Sequence, residues 1–287
     1  HRSTQHLNDW LSRQGLVGIT GIDTRRLTRH IRQQGAPNAV ILHGASDDMD
    51  VANALKKAKD WPGLAGMDLA KEVSCQTSYN WDSGLWDAKH GYARQVKSRF
   101  HVVCVDYGIK RNILRNLVNV GARITVVPAT TSAKEILKLQ PDGIFLSNGP
   151  GDPAATGEYA LKEVKALIES GKPIFGICLG HQLLGLALGA KTYKMHQGHR
   201  GANHPVKDLE TGKVEITVMN HGFAVDQKTL PPGVTATHIS LFDGSLCGLK
   251  VDGSPIFSVQ HHPEASPGPQ DSYYLFKRFA DMVSAHA

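Results

Sequence analysis

The stretch PIFGICLGHQLLG (173–185) carries an apolar run straight into an amphipathic one, with Cys178 at the junction, Gly176 two residues before it and Gly180 two after. A strand that passes into a helix through such a Gly-x-Cys-x-Gly turn projects the central side chain above a sheet. It also sets the sulfur at a helix N-terminus, where the helix dipole favours a thiolate, the attacking form of cysteine. Cys178 is therefore a candidate nucleophile. A free cysteine is commonly just a small buried hydrophobe, so the spacing needs a base to accompany it.

The segment SVQHHPEAS (258–266) offers one. Pro263 breaks regular structure directly after His262, and Glu264 lies two residues from His262, so in an extended segment the two side chains point the same way. A carboxylate beside an imidazole fixes its tautomer and raises its basicity. The predicted set is Cys178 as nucleophile, His262 as base and Glu264 as the residue that orients it. His261 is one residue off and should face the other way. With 15 histidines in the chain, metal binding has to be weighed too. His196, His199 and His204 form a loose run and His261 and His262 are adjacent. Gly198, Gly201 and Pro205 leave that run without a regular element to aim ligands, so a hydrogen-bonded loop is expected and no metal is assigned.

These residues require a scaffold. From Phe100 onward the pattern alternates: strands at 101–107, 123–129, 142–148 and 172–177, with helices at 109–119, 133–139, 154–170 and 179–189 between and after them. Such alternation predicts an α/β fold with a mostly parallel sheet, helices on both faces and ligands at the carboxyl ends of the strands. After Ala190 the texture turns to strands at 214–219, 234–238, 246–251 and 256–260, then a final helix over 271–285. Residues 1–95 read as a smaller N-terminal α/β domain. Asp23 caps a helix that runs to about Gln34 and is stopped by Gly35. A strand-like NAVIL (38–42) follows, then a helix beginning near Ser46 or Asp47. The aperiodic stretch 78–98 suggests a boundary near 90–98, with the second domain at 99–287.

Composition narrows the function. The chain has 287 residues, a net charge of +6 and 20% charged residues. No apolar run approaches a membrane span, and the positive charge is too mild and dispersed to argue for nucleic acid. Arg25, Arg29 and Arg32 fall on one helical face, which reads as a solvated face. Four cysteines without a CxxC pair suggest no disulfide framework and a reducing, cytoplasmic setting. No P-loop occurs, so no nucleotide site is assigned.

FGICLGHQ with QHHPEAS resembles the class I, triad-type glutamine amidotransferases, and LSNGPGDP (146–153) is similar to their glycine-rich loop. GHRGANHPV (198–206), NHGFAVD (220–226), HPEASPGPQDS (262–272), DTRRLTRHIRQQGA (23–36), GMDLAKEVS (66–74) and DYGIKRNILR (106–115) narrow the likeness to the small-chain family of carbamoyl-phosphate synthase. The N-terminal matches argue against amidotransferases that serve GMP or anthranilate synthesis. The intact Cys178, His262 and Glu264 set argues against a catalytically silent scaffold.

The resemblance implies that Cys178 forms a glutamyl thioester with L-glutamine. His262 serves as acid and base, and Glu264 orients it. Leu179 and Gly151 supply the oxyanion N–H groups, with Gly149 in the same loop. Gln182, Asn220, Gly222 and Phe223 contact the substrate. It further implies no cofactor on this chain, ATP and Mg on a partner synthetase (large) chain that makes carbamoyl phosphate from bicarbonate, and a role in arginine and pyrimidine synthesis. His261 stands where the family commonly has Gly or an aromatic, a position expected to tune packing. The family's longer N-terminal part supplies a serine contact to glutamine. With His1 as the first residue, the N-terminal domain is expected to be incomplete at its start.

Overall fold

A computed structural model describes residues 3, 5–44, 49–94 and 97–286. The chain packs as two compact units, His1–Gly63 and Leu64–Ala287. The first holds α1 (Leu7–Arg13), α2 (Thr24–Gln34) and α3 (Val51–Asp60). As expected, Asp23 caps α2, its Oδ1 accepting from the Arg26 N–H at 2.9 Å, and Gly35 ends it in the left-handed region at φ 87°. Arg25, Arg29 and Arg32 are exposed. Two readings need correction. Residues 38–42 form no strand, and among the described residues no strand pairs with them. Ser46 and Asp47 lie outside the described residues; α3 itself is capped by Asp50, whose Oδ1 accepts from Asn53 N–H.

The second unit opens with α4 (Ala70–Val73), β1 (Tyr79–Trp81), β2 (Ser83–Asp87) and β3 (Gly91–Arg94). The aperiodic stretch 78–98 thus contains short strands. β1 adds antiparallel to the edge of the main sheet, and β2 and β3 form a hairpin. Packing therefore divides the chain after Gly63, whereas sequence texture placed a boundary near 90–98.

The rest of the unit contains, in order, β4 (Phe100–Asp106), α5 (Arg111–Asn119), β5 (Ala122–Pro128), α6 (Ala133–Lys138), β6 (Gly143–Leu146) and α7 (Pro153–Glu169). β7 (Ile174–Ile177), α8 (Leu179–Leu188), β8 (Thr192–Asp208), β9 (Val214–Val225), β10 (Val234–Ser240), β11 (Leu246–Val251), β12 (Ile256–Val259) and α9 (Tyr274–Ala285) follow. Ten strands form one sheet in the order β1-β5-β4-β6-β7-β12-β11-β10-β8-β9. The run β5-β4-β6-β7-β12 is parallel and the flanks are antiparallel. This is the predicted α/β architecture. The main correction is β8. The histidine-bearing segment expected to be a loop is a 17-residue strand, paired with β9 and interrupted by register shifts around 194–199 and 201–204.

The strands alternate as a sheet buried on both faces must. Val103, Val105, Ile144, Leu146 and Ile174 pack toward α6, α7 and α8. Val102, Cys104, Phe145, Phe175 and Ile177 pack toward α5 and α9. Phe175 sits at the centre of the second layer, stacked 4.4 Å from Phe257 and edge-on to Phe145 at 5.3 Å, with Phe276 and Phe279 of α9 at 6.0 and 5.8 Å. Truncating such a ring removes its burial and leaves a cavity among four others. Phe175→Ala is expected to destabilise this unit by about 3–5 kcal/mol. Denaturant unfolding would measure it, and a change below about 1 kcal/mol would mean the aromatic layer is not the anchor of the sheet.

Candidate active site

All the chemistry gathers at the carboxyl ends of the parallel strands. β4 leads into 106–110, β6 into 147–151, β7 into Cys178 and β12 into 260–264. Cys178 lies between β7 and α8 with φ 53° and ψ −102°, a left-handed conformation that costs a non-glycine residue about 1–3 kcal/mol. The two glycines make that turn possible. A Cβ on Gly180 would stand 2.2 Å from the Leu146 carbonyl oxygen, and one on Gly176 2.9 Å from the backbone of Gly180. Cys178 N–H donates to Val259 O at 2.9 Å, so the turn is pinned to the end of β12. As the first residue of α8, Leu179 has an N–H with no acceptor inside its own helix.

His262, Glu264 and Cys178 come together as the sequence predicted. His262 Nδ1 lies 2.8 Å from Glu264 Oε1. A carboxylate only accepts, so Nδ1 carries the proton and Nε2 is the nitrogen left for Cys178, with which His262 makes a side-chain hydrogen bond. Burial pulls the His262 value down, but the Glu264 carboxylate and Cys178 outweigh it and hold it raised to about 9. Burial likewise works to raise Glu264, yet the charge and hydrogen bond of His262, with the Lys110 ammonium, keep it below the usual carboxylate value. Asn112 Nδ2 donates to the Glu264 carbonyl at 2.5 Å and ties this segment to α5.

A cavity of about 390 Å³ opens over these groups. Gly149, Gly151, Gln182, Asn220, Gly222 and Phe223, all singled out from the sequence, line it with Cys178 and His262. A Cβ on Gly149 would meet Tyr107 O at 2.1 Å, so the backbone can approach the cavity there only as glycine. Gln182 Nε2 and His221 Nδ1 both donate to Phe223 O, each at 2.8 Å, which fixes the strand end opposite Cys178.

Lys110, Asn148 and Arg200 are among the lining residues that the sequence reading did not single out. Lys110 Nζ is 3.3 Å from Glu264 Oε1 and 3.2 Å from His262 Nδ1. Both nitrogens are donors, so the ammonium binds the carboxylate. Asn148 Oδ1 accepts from the Lys110 N–H at 3.1 Å, and Asp106 caps the same turn through Gly108 and Ile109. Arg200 brings a guanidinium to the cavity, braced by its bond to Gln197 O at 2.8 Å. One basic residue among 32 Lys and Arg carries no periodic signal of its own.

The other thiols are placed differently. A larger cavity, about 650 Å³, adjoins Cys75, Pro128 and Glu135, but no imidazole lines it. Burial and the nearby Asp106 push the Cys75 thiol up to about 11. Burial pushes Cys104 and Cys247 well up as well. The histidine run divides: His196 is exposed, whereas His199 and His204 are buried with rings 5.0 Å apart, and His199 Nε2 is bonded to Asp243 at 2.9 Å. His261 faces His238, ring centroids 5.6 Å apart, and burial holds it neutral. Asp208, Glu215 and His238 form a buried trio with metal-like spacing. Thr211 and the 210–211 amides already bind Asp208, Thr237 binds His238, and Tyr274 contacts both Glu215 and His238.

Comparison with known proteins agrees with this geometry. A family model described as glutamine amidotransferase class-I matches residues 103–282, and one described as carbamoyl-phosphate synthase small chain, CPSase domain, matches residues 1–41. Carbamoyl phosphate synthase small chains of Bradyrhizobium diazoefficiens, Caulobacter vibrioides and Rhizobium meliloti are 62%, 60% and 60% identical to this chain over 99% of its length. The chain spans 72%, 73% and 71% of those relatives. A solved Thermoplasma acidophilum protein named for GMP synthase has a TM-score of 0.56 at 22% identity, covering 65% of this chain and 96% of its own. That likeness is one of fold.

The buried pair makes stability depend on pH in a definite sense. His262, raised from 6.5 to about 9, contributes stability that is complete below 6.5 and fades as pH rises through about 9. Glu264, depressed from 4.5, contributes above that value and loses it as pH falls through its lowered one. In Glu264→Gln the imidazole keeps its burial and its Cys178 contact but loses its carboxylate, so its NMR titration midpoint should fall below that of the wild type. The stability gap between wild type and variant should be wide at about pH 6 and narrower at about pH 9.5. An unmoved midpoint would show that Glu264 does not set the charge of His262.

Proposed function

This chain belongs to the carbamoyl phosphate synthase small-chain family within the class I glutamine amidotransferases, and from that premise we propose that it hydrolyses L-glutamine at Cys178 and supplies the ammonia to a synthetase chain. The observation that carries the reading is the His262 imidazole, which lines one cavity with a strained cysteine at a helix N-terminus and bridges that cysteine to a buried carboxylate behind it.

The chemistry follows from those positions. Cys178 Sγ attacks the side-chain carbonyl carbon of glutamine as its proton passes to His262 Nε2. The oxygen takes the negative charge and is stabilised by the N–H groups of Leu179, at the start of α8, and of Gly151, the donors the family resemblance assigns. The intermediate collapses, the C–N bond breaks, and His262 returns the proton to the leaving ammonia, leaving a glutamyl thioester. His262 then takes a proton from water, hydroxide adds to the thioester carbon, and glutamate departs as the thiol is restored. Glu264 keeps the Nδ1 proton in place throughout, and Lys110 holds Glu264. Asn220, Gly222 and Phe223 hold the amino-acid end, while the Arg200 guanidinium offers a counter-charge to its carboxylate.

No cofactor is assigned to this chain. ATP and Mg belong to the synthetase chain, which carries bicarbonate to carbamoyl phosphate in the cytoplasm for arginine and pyrimidine synthesis. Among the described residues no helix is long and apolar enough to cross a membrane.

Glutamine hydrolysis by wild type is expected to rise when an ATP-dependent carbamoyl-phosphate synthetase chain is added. In Cys178→Ser it is expected to fall by about 10³-fold or more. Ammonia release, measured with and without the partner, tests both halves. Hydrolysis that survives in Cys178→Ser would sink the nucleophile, and a rate indifferent to the partner would sink the pairing.

A further inference from the structure

Alternate residues of one segment meet the nucleophile helix. Ser258 Oγ lies 2.8 Å from His181 Nδ1, Gln260 Oε1 lies 3.0 Å from Gln182 Nε2, and His262 reaches Cys178. The orientation of the middle pair follows from donor and acceptor chemistry alone. Phe223 O can only accept, so the Gln182 atom 2.8 Å from it is the amide nitrogen. The same nitrogen faces Gln260, whose facing atom must then be its carbonyl oxygen. Both N–H groups of Gln182 are thereby taken by protein acceptors. Its Oε1 is the polar atom left for the cavity that Gln182 lines.

Gln260 is fully buried, and its Nε2 has no acceptor among the described residues. A buried, unpaired donor is destabilising. A side chain chosen only to fill this space would not carry one. Turning the Gln260 amide over would set two donors against each other and leave Gln182 held by Phe223 O alone.

We propose that Gln260 is a positioning residue that locks the Gln182 amide with its carbonyl oxygen toward the ligand. The inference rests on the glutaminase reading above and deepens it. The site presents a fixed acceptor to an N–H donor of the bound amino acid. Glutamine carries such donors at its α-ammonium and at its side-chain amide. The contact forms in the ground state and persists through the reaction, so its loss raises KM and spares kcat.

The test is steady-state glutamine hydrolysis by the full chain as wild type, Gln260→Met, Gln182→Met and the double variant, with unfolding midpoints for each. Glutamine binding by calorimetry is measured alongside. In Gln260→Met, KM should rise about tenfold with kcat within about twofold. The double variant should be no worse than Gln182→Met alone, because Gln260 acts only through Gln182. Gln260→Glu keeps an acceptor against Gln182, serves as a second variant should methionine prevent folding, and should hold KM within about threefold of wild type. With an active wild type, the inference is overturned by an unchanged KM in Gln260→Met, by a loss confined to kcat, by effects that multiply in the double variant, or by a Gln260→Glu as impaired as Gln260→Met. The glutaminase reading would survive each of these. A wild type that neither hydrolyses nor binds glutamine would instead overturn that reading, and this inference with it.

Discussion

The left-handed backbone at Cys178 is the constraint on which the site depends. A cysteine at φ 53° is held there only because its surroundings over-determine it. Gly180 lies so close to Leu146 O, and Gly176 so close to Gly180, that β6, β7 and α8 meet without room for a Cβ at either place. The Cys178 N–H, bonded to Val259 O, then fixes β12 beside the turn. Since β12 leads directly to His262, the hydrogen bond that pins the nucleophile also sets the distance from which its base approaches. The parallel order β6-β7-β12 is the mechanical requirement for that geometry.

Electrostatics separates His262 from other buried histidines. Burial drives His181 and His221 down to about 3 and lowers His204, His238 and His261 as well. His262 is raised instead, because it faces a carboxylate fully enclosed with it. Neutral neighbours matter here. A second imidazolium near Cys178 would oppose a positive charge on His262. Around Cys178, His262 is thus held ready to charge while His181, His221 and His261 stay neutral, with Lys110 balancing the carboxylate that makes the difference.

The parallel half of the fold was legible in the sequence because its inner strands β4, β6, β7 and β12 are buried along their length and read as mostly apolar runs. The Cys178 turn and the HPE segment were legible because their glycines and proline permit few conformations. The flanks were not. β8 alternates exposed and buried positions imperfectly, its register shifts break the period, and glycines within it read as loop punctuation. β1, β2 and β3 are too short to show a period, and residues 38–42 show apolar strand character without a strand to pair with. Lys110, Asn148 and Arg200 reach the cavity from segments remote in sequence, so only the folded chain brings them to it.

The two kinds of functional residue therefore differ in how they are encoded. Cys178, His262 and Glu264 need strict local conformations, and those conformations restrict the neighbouring residue types, leaving a pattern that can be read along the chain. Lys110 and Gln260 act by pairing across the fold, with Glu264 and Gln182, and impose nothing on their own neighbours. Their partners set their orientation: a carboxylate that accepts, or an amide whose nitrogen is already committed to Phe223 O. Residues of this second kind emerge once every buried donor has been matched to an acceptor. One of the donors left over, Gln260 Nε2, marks where the arrangement serves an orientation at the cost of a hydrogen bond.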